Sequence, residues 1–573
     1  NPALTKSLKI LSGGNITLNA NSVINTLANG NVVLNSDSDG DGSGAIVFNT
    51  GSGITSNAGN ITLGGGTAGD GSGNAIGNST NIHGINLTGA TLNAGGGNIS
   101  LAGQSGAVSA DFASGVYMTG GGSINTSGAG NISITGTGAA TGAYSQSVGV
   151  RITGASGNLS TVTGGSTGSV TIQGTGTSSA TGNYEHGVML GYATVTSTGG
   201  NVSITGTGGS SGTGGSNKGV SIETGAEVSA TGSGTVTITG TGGTGTGSAT
   251  PNNNNGVSHS GTGIKSETGA ITITASAPDN LSYAAAIASA VTSTGNADIT
   301  FTTDSISLGG TVSAGTGTVK VQNKTAGTLV TVGGATTDVR TTSPKTMVVD
   351  ATELGKISAG TVVVGRNDGA GADSGNVTVN ATNLGALGNT GGNLTILGGN
   401  DILIKGAITK STGTDATLTL NAVNGIDITD AAASVGASVA GAGKLNVSMT
   451  ANGNAATVAN STGLVLSKVI NANGGTVSLS GTNKKSTGGA ANSGVRLSGA
   501  SIYAASLSVT GNQTGTNAGS DTNGIYISGT NTLQTTTGTS TLTGNSNALG
   551  NFGGGIFFAD GSSTTFDSGT GSI

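Results

Sequence analysis

The sequence contains no cysteine and no tryptophan, and only 7% of its 573 residues are charged. Without cysteine the chain can form no disulfide and perform no thiol redox chemistry, and no crosslink would hinder passage of the unfolded chain across a membrane. Four arginines and a net charge of −6 leave no dense cationic cluster. Because nucleic-acid binding requires clustered cations against the phosphates, we exclude that class of protein.

Long apolar runs are also missing. None approaches the roughly 20 residues that a membrane-spanning helix needs, so we predict no membrane span. Proline occurs 4 times against 113 glycines, and glycine does not recur at every third position, which excludes collagen. Aromatic residues make up 2% of the chain, which indicates a narrow core of Val, Ile and Leu. Residue 1 is Asn with no basic and apolar leader after it, so we interpret the sequence as a processed product or part of a longer protein.

What organises the chain is a repeat between Gly84 and Thr274. Six segments open with a glycine followed by an apolar strand pattern, and the steps between the opening glycines are 31, 34, 38, 32 and 37 residues. A self-similar period of this size is typical of repeat architectures, which fold without one large core. The opening glycines are Gly84, Gly115, Gly149, Gly187, Gly219 and Gly256.

Each repeat contains three strand patterns. A weaker strand, such as 226–230, follows the opening strand, and a third strand, such as NVSI from Asn201, alternates apolar residues at period two. Glycine is too frequent for helices, and no window has a sustained 3.6-residue period. We therefore predict an all-β fold, namely a right-handed parallel β-helix that forms a single elongated rod. Coils of roughly 20–35 residues would give roughly 16–29 coils.

The alternation also predicts which side chains fill the core. We expect successive repeats to stack apolar residues directly on one another. The inward residues of one repeat are Val220, Ile222, Val236 and Ile238, and those beneath them are Val188, Leu190, Val202 and Ile204.

We divide the sequence into three segments of one continuous solenoid. Residues 1–283 form a first module, with short coils, then the six repeats, and loops on one side. Residues 284–405 form a tighter central segment, in which 284–290 is predicted to be a strand with Ile287 in the core. Residues 406–573 repeat the pattern of the first module.

Three stretches carry a family resemblance. They are GNITLNANSVI at 14–24, ATELGKISAGTVVVG at 351–365 and ITKSTGTDATLTLNAVNGIDI at 408–428. These stretches resemble the repeat regions of filamentous-haemagglutinin-like adhesins, which are very large exoproteins of diderm bacteria exported by two-partner secretion. The sequence NPAL at 1–4 is similar to the Asn-Pro motif in the secretion domain of that family.

The resemblance implies a secreted, cell-surface protein that leaves the cell through an outer-membrane two-partner transporter. Its partners would be surface glycans or neighbouring cells, and its role structural, in adhesion, biofilm matrix or cell–cell contact through many weak contacts. The alternatives are a self-assembling extracellular filament subunit, a phage or viral fibre, an ice-binding solenoid and a polysaccharide-acting β-helix enzyme. An uncovered solenoid end would favour the filament, because it is a template for strand pairing.

Asp37, Asp39 and Asp41 stand in the order D-x-D-x-D-G, which calcium loops use to bring alternate carboxylates together. The twelfth position counted from Asp37 is Phe48 in place of the bidentate Glu of an EF-hand. The sequence therefore predicts either a weak calcium turn, completed by carbonyls and water, or a hydrated acidic turn without an ion.

A TGT-like phrase ends the third strand of four successive repeats. Stacked in register, its outer residues would form two columns with about 4.8 Å between coils, which resemble the surface of ice-binding solenoids. Ordinary ladder stacking is the other interpretation, and we expect the glycine within each pair to bend the chain and spoil flatness. The pairs are Thr135/Thr137, Gln173/Thr175, Thr205/Thr207 and Thr239/Thr241.

A polysaccharide-acting enzyme would need paired carboxylates, or calcium with a base. The three histidines, His83, His186 and His259, fall in different repeats, and His186 is predicted to lie in a loop. We therefore expect no enzymatic activity and no cofactor-binding residue. The only glutamates are Glu185, Glu223, Glu227, Glu267 and Glu353.

Asn-x-Ser/Thr sequons recur before the strands. Since Asn favours the turn that precedes a Ser- or Thr-bearing strand, we interpret these residues as turn formers, with glycosylation as the alternative. Examples are Asn15, Asn60, Asn98 and Asn131.

Overall fold

The computed structural model describes most of the chain, and the chain divides into two compact units, residues 1–315 and 316–573. Strands account for nearly all the regular structure of the described residues. The described ranges are 6–107, 111–139, 146–177, 182–210, 214–245, 253–278, 281–387, 392–437, 442–453, 462–484, 492–515, 522–547 and 553–570.

In the first unit each coil contributes one strand to each of three faces, and every strand pairs in parallel with the equivalent strand of the neighbouring coil. Face A contains Leu8–Leu11, Val32–Ser36, Ile61–Gly65, Ile99–Gln104, Ile132–Thr137, Val170–Thr175, Val202–Thr207, Val236–Thr241, Ile271–Ser276 and Ile299–Thr302, with Ala75–Ile76 beside it. Face B contains Ile16–Leu18, Ile46–Phe48, Ile85–Thr88, Ser114–Thr119, Val148–Thr153, Val188–Gly191, Val220–Ile222, Val257–His259, Ala285–Ile287 and Ile306–Leu308. Face C contains Val23–Asn25, Gly53–Thr55, Thr91–Asn93, Ser123–Asn125, Ser160–Gly164, Ala193–Ser197, Glu227–Ala230, Gly263–Ser266, Val291–Ser293 and Val312–Ser313.

The second unit also has three strand faces, which we again label A, B and C. Face A contains Thr318–Gln322, Thr361–Gly365, Leu394–Gly398, Ala416–Ala422, Leu445–Ala451, Thr476–Asn483, Ser506–Gln513 and Ser540–Ser546. Face B contains Leu329–Val332, Thr346–Val349, Val377–Val379, Ile402–Ile404, Ile426–Ile428, Leu464–Leu466, Asn492–Ser498, Thr522–Ser528 and Ile556–Phe558. Face C contains Thr382–Asn383, Ala407–Lys410, Ser434–Ala437, Val469–Asn471, Ser501–Ala504, Thr530–Thr535 and Ser563–Asp567. A further strand, Ile357–Ser358, follows the helix Ala351–Leu354, and Leu384–Ala386 is a 3₁₀ turn.

The stacked core predicted from the alternation is confirmed. On face B, Val220 and Ile222 lie opposite Val188 and Leu190 of the preceding coil. The face A prediction holds in the same way, since Val236 and Ile238 lie opposite Val202 and Ile204. All eight side chains are fully buried. Apolar side chains of successive coils therefore meet directly, which is how parallel in-register strands bury apolar area at period two.

The predicted all-β parallel β-helix is therefore confirmed. The predicted strand within 284–290 is also present as Ala285–Ile287, with Ile287 in the core. The stretch NPAL at 1–4 lies outside the described residues. The division of the chain at residues 283 and 405 stays a prediction.

Candidate functional sites

The acidic turn follows the face A strand Val32–Ser36. Asp37 begins it in a left-handed conformation with a φ of 50° and is buried, whereas Asp39 and Asp41 are exposed. One carboxylate oxygen from each of the three residues lies within 4.8 Å of the others. The structure therefore brings together the three residues selected from the sequence.

Backbone donors partly compensate the charge of this turn. Asp37 Oδ1 accepts hydrogen bonds from the N–H groups of Gly42 at 2.9 Å and Ser43 at 3.3 Å, and Asp41 Oδ1 accepts one from Ser43 at 2.9 Å. Phe48 at the twelfth position is fully buried in face B. A cation here would have three carboxylates and nearby carbonyls as ligands, a set that lacks a bidentate Glu. The calcium assignment stays a prediction.

The two threonine columns form in register along face A of the first unit. Thr135 lies opposite Gln173, which is followed by Thr205 and Thr239 in the next two coils. The outer column is built in the same way from Thr137, Thr175, Thr207 and Thr241. Coils in such a ladder lie about 4.8 Å apart.

The expectation that the intervening glycines bend the chain is wrong. Gly136 and its equivalents lie within continuous strands and point into the core, so the flanking threonines stay on one surface. The physical reason is a close backbone approach, because a Cβ on Gly136 would collide with the carbonyl oxygen of Gly149. The same collision would occur at Gly174 with Gly187, at Gly206 with Gly219 and at Gly240 with Gly256. Each opening glycine therefore packs against the glycine at the end of the preceding face A strand. The repeat spacing alone does not reveal this contact.

The sequon asparagines link successive coils. Asn60 Oδ1 accepts a hydrogen bond from the N–H of Asn98 at 2.9 Å, and Asn98 Oδ1 accepts one from the N–H of Asn131 at 2.9 Å. Asn131 Oδ1 in turn accepts one from the N–H of Ser169 at 2.8 Å. Asn15 is used differently, since its Oδ1 accepts from the N–H of Ala45. The side chains of Asn60, Asn98 and Asn131 satisfy backbone donors just before face A strands, and that of Asn15 does so before a face B strand, in agreement with their interpretation as turn formers.

His259 lies in the core, opposite Ile222 on one side and Ile287 on the other. Its Nε2 is 3.1 Å from the carbonyl oxygen of Ala290, and its Nδ1 has no hydrogen-bond partner among the described residues. Burial lowers the pKa of His259 from 6.5 to about 4, against a smaller raising effect of the hydrogen bond to Ala290. This histidine is therefore a neutral core residue at pH 7.

His83 and His186 immediately precede opening glycines. His83 Nδ1 accepts a hydrogen bond from the N–H of Ser114, and His186 Nδ1 accepts one from the N–H of Lys218, both at 3.1 Å. Burial first, and then the charge of Arg151, lowers the pKa of His83 to about 4. Burial, followed by the charges of Lys218 and Arg151, lowers the pKa of His186 well below 6.5. His186 lies outside the strands as predicted, but it is buried.

A row of aromatic and arginine side chains on face B of the first unit forms what we call the first ladder. Tyr117 lies opposite Arg151 in the next coil. The guanidinium carbon of Arg151 is 5.6 Å from the ring centroid of Phe112 and 5.8 Å from that of Tyr117. The His83 ring also belongs to this cluster, since its centroid lies 4.5 Å from that of the Tyr117 ring.

Face B of the second unit contains a second ladder. Arg496 lies opposite Tyr526, and Tyr526 lies opposite Phe557. The Arg496 guanidinium carbon is 5.4 Å from the Tyr526 ring centroid, and the Tyr526 and Phe557 rings stack at 5.6 Å with an interplanar angle of 20°. Sequence reasoning missed both ladders. The available signal was the second position after the opening glycine, as in GVYM, GVRI, GVRL, GIYI and GIFF.

A small cavity lies beside the first ladder, with a volume of about 220 Å³. Tyr184 is 52% exposed at its edge, and Glu223 accepts a hydrogen bond from the Ser221 hydroxyl at 2.9 Å. The lining residues are Gln146, Val148, Tyr184, His186, Met189 and Glu223.

The other glutamates have structural contacts of their own. Glu227 forms an ion pair with Lys265, and Glu267 accepts a hydrogen bond from the N–H of Gly232 at 2.7 Å. Glu353 completes a capping box with Asp350 at the short helix. Glu185 is fully buried. The expectation that the chain is not an enzyme stays a prediction.

In the part of the chain that the structure describes, no helix is both long and apolar enough to cross a membrane. Comparison of the chain with protein-family models, with curated proteins and with solved structures finds no match. What the structure establishes about the class of this protein is therefore its architecture, a repetitive parallel β-helix with three strand faces in each of its two units.

Proposed function

We propose that this chain is part of a secreted bacterial surface protein and acts structurally in adhesion, biofilm matrix or cell–cell contact. The observation that carries the proposal is the repetition of outward polar residues at one register, as in the face A columns that contain Thr205 and Thr239. Four successive coils present nearly the same small set of hydroxyl and amide groups there. Weak contacts of one kind are therefore repeated many times, and their sum supplies affinity without a single deep pocket.

Export through an outer-membrane two-partner transporter is part of the same proposal. It is supported by the family resemblance in the sequence and by the absence of cysteine, since no disulfide would oppose passage of an unfolded chain. Folding of a solenoid needs only neighbouring coils, so it can proceed coil by coil as the chain emerges.

Adhesion can be tested with beads that carry many copies of the folded chain. We expect these beads to stay on bacterial cells or biofilm under flow, and the soluble chain to compete only at much higher concentration, because avidity multiplies weak contacts. Beads that carry the heat-unfolded chain are the matched control. Equal retention of folded and unfolded beads would contradict the proposal.

Ice binding is a second candidate, because the strands of face A continue through the glycines between the threonines. Thermal hysteresis of the purified chain tests it, with Thr205→Tyr as a variant that disrupts the column. A chain without thermal hysteresis excludes this candidate. End-to-end self-association depends on another feature, the exposed apolar residues Ile556 and Phe558 of the last described coil, and it stays a prediction.

A further inference from the structure

We propose that the two Arg–aromatic ladders of face B bind carboxylate-bearing sugars of an acidic glycan. In each ladder the guanidinium would pair with the sugar carboxylate, and the aromatic rings would pack against the apolar C–H face of the sugar ring. The inference rests on the proposed function, since it names a ligand class for that adhesive surface. The two ladders provide two independent observations of one arrangement, because they lie in different units.

Neither ladder arginine has an acidic partner in the described chain. The Nε atoms of Arg151 and Arg496 are buried and make no hydrogen bond to the described residues. The contrast is Arg366, whose Nε is 2.9 Å from a carboxylate oxygen of Asp368. Both arginine residues are only half-buried, and a carboxylate is the group that matches the planar guanidinium with two parallel hydrogen bonds.

Among the basic groups around the first ladder, Arg151 is the principal charge. His83 and His186 are neutral at pH 7, because their pKa values are lowered. The Lys218 ammonium is hydrogen-bonded to Ser221, which in turn donates to the carboxylate of Glu223. The cationic site that remains is the Arg151 guanidinium beside the rings of Phe112 and Tyr117.

In the second ladder the nearest described carboxylate of the same row belongs to Asp427. Asp427 lies opposite Val465, which lies opposite Arg496, so two coil spacings of about 4.8 Å separate the two charged residues along the row. On the other side of Arg496 the row continues with aromatic rings. An anion is therefore favoured at Arg496 and towards Tyr526.

Aromatic residues near the first ladder are displayed at the surface by unusual backbone conformations. Phe112 has a φ of 68° and is 47% exposed, and Tyr184 has a φ of 60° and is 52% exposed. Bulky residues rarely adopt positive φ, and here the turn before the opening glycine imposes it. Gln146, Ser216 and Asn253 adopt positive φ at the equivalent position, three residues before an opening glycine.

A glycan fits these ladders better than a peptide does. The ladder strands pair on both sides, as Val148–Thr153 does with Ser114–Thr119 and Val188–Gly191, so no free edge is available for an added peptide strand. Recognition must therefore come from side chains alone. Half-buried rings in both ladders, and beside the first ladder a cavity of about 220 Å³, suit a sugar unit, since pockets for drug-sized ligands begin at about 300 Å³.

The test measures binding of the full chain to immobilised oligogalacturonate by biolayer interferometry. The matched probe is the fully methyl-esterified oligosaccharide, which keeps the sugar ring and loses the charge, and poly-L-glutamate supplies carboxylates without sugar rings. We expect binding to oligogalacturonate only. Equal binding of the ester, equal binding of poly-L-glutamate, or no binding of oligogalacturonate would each overturn the inference.

Variants assign the binding to the ladders. Arg151→Gln and Arg496→Gln should each weaken binding about 10-fold and together abolish it, because each removes one charge-assisted pair. Arg151→Lys should give an intermediate loss, since it keeps the charge and loses the planar fork. Arg366→Gln changes the net charge equally and should leave binding unchanged. A loss with Arg366→Gln as large as with the ladder variants would reduce the effect to general electrostatics and overturn the inference.

Circular dichroism melting of each variant shows that a binding loss does not result from unfolding. The outcomes also separate this inference from the proposed function. Retention of the beads on cells without binding of oligogalacturonate would overturn the glycan inference alone. Binding of oligogalacturonate by a chain whose beads do not stay on cells would instead contradict the adhesive function and leave the ligand assignment in place.

Discussion

Ile238 illustrates how a single side chain contributes to a stacked core. It is fully buried between Ile204 of the preceding coil and Ile273 of the following one. Ile238→Ala removes contacts with both neighbours, and we expect a loss of about 2–5 kcal/mol in the free energy of unfolding. Chemical denaturation followed by circular dichroism measures this loss. The outward-facing, half-buried Thr239 in the same strand supplies the control substitution Thr239→Ala, and an equal effect of both would contradict the stacked core.

His259 should make stability depend on pH. Its pKa in the folded chain is about 4, below the ordinary 6.5, so between these values the unfolded chain binds a proton that the folded chain does not. The free energy of unfolding should therefore fall as the pH decreases from 6.5 to about 4 and then level off. The difference between the two pKa values corresponds to a loss of about 3 kcal/mol in the free energy of unfolding, since one pKa unit is worth about 1.4 kcal/mol.

The variant His259→Leu checks this assignment, because leucine fits between the apolar neighbours Ile222 and Ile287. The free energies of unfolding measured at pH 7 and at pH 4.5 should differ less for the variant than for the wild type. His83 contributes in the same direction, since its pKa is also lowered to about 4, and so part of the pH dependence should remain. An unchanged pH dependence in His259→Leu would contradict the prediction.

At the level of the strand, the inward glycines allow the end of a face A strand to approach the start of the next face B strand closely. A Cβ on Gly206 would collide with the carbonyl oxygen of Gly219, and neither group can rotate away because both belong to the backbone. Gly206→Ala should therefore destabilise its coil by about 1–3 kcal/mol through overpacking. Gly14→Ala is the matched control, since nothing lies within 4 Å of its Cβ position. Equal melting temperatures of the two variants would contradict this view of the strand end.

The acidic turn after Val32–Ser36 is an element whose ordering should respond to calcium. Three carboxylates within 4.8 Å repel one another, and a cation would relieve that repulsion. Since the twelfth-position Glu is missing, we expect millimolar affinity and a melting temperature that rises with calcium. Asp39→Asn should remove the calcium-dependent rise. A wild-type melting curve that chelator leaves unmoved would mean that Asp37, Asp39 and Asp41 form only a hydrated turn.

At the scale of the molecule, each coil of the first unit is stabilised mainly by the coils before and after it. The stability of such a solenoid is a sum of neighbour terms, so damage to one coil should open the chain locally. In Ile238→Ala, limited proteolysis should cleave first in the turns around Val236–Thr241. Mass spectrometry of the first fragments locates the cuts. Cleavage spread evenly along the chain would indicate a globally cooperative unit instead.

Much of the architecture is a local property of the sequence. The period of the opening glycines and the alternation in segments such as Val236–Thr241 predict parallel coils and their inward residues, because burial at period two depends only on the strand itself. The acidic turn was also found from sequence, since its three carboxylates are close neighbours along the chain.

The contacts between coils were decided by the tertiary structure. Segments of variable length separate face A from face B, so sequence spacing does not show which residues of successive coils meet. Stacking determines that Arg151 lies opposite Tyr117, that His259 fills the core, and that Gly136 meets Gly149. The sequence by itself therefore determined the β-helix and its core, because those depend on local periodicity. Only the tertiary structure decided the ladders and the inward glycines, because both depend on the register between coils.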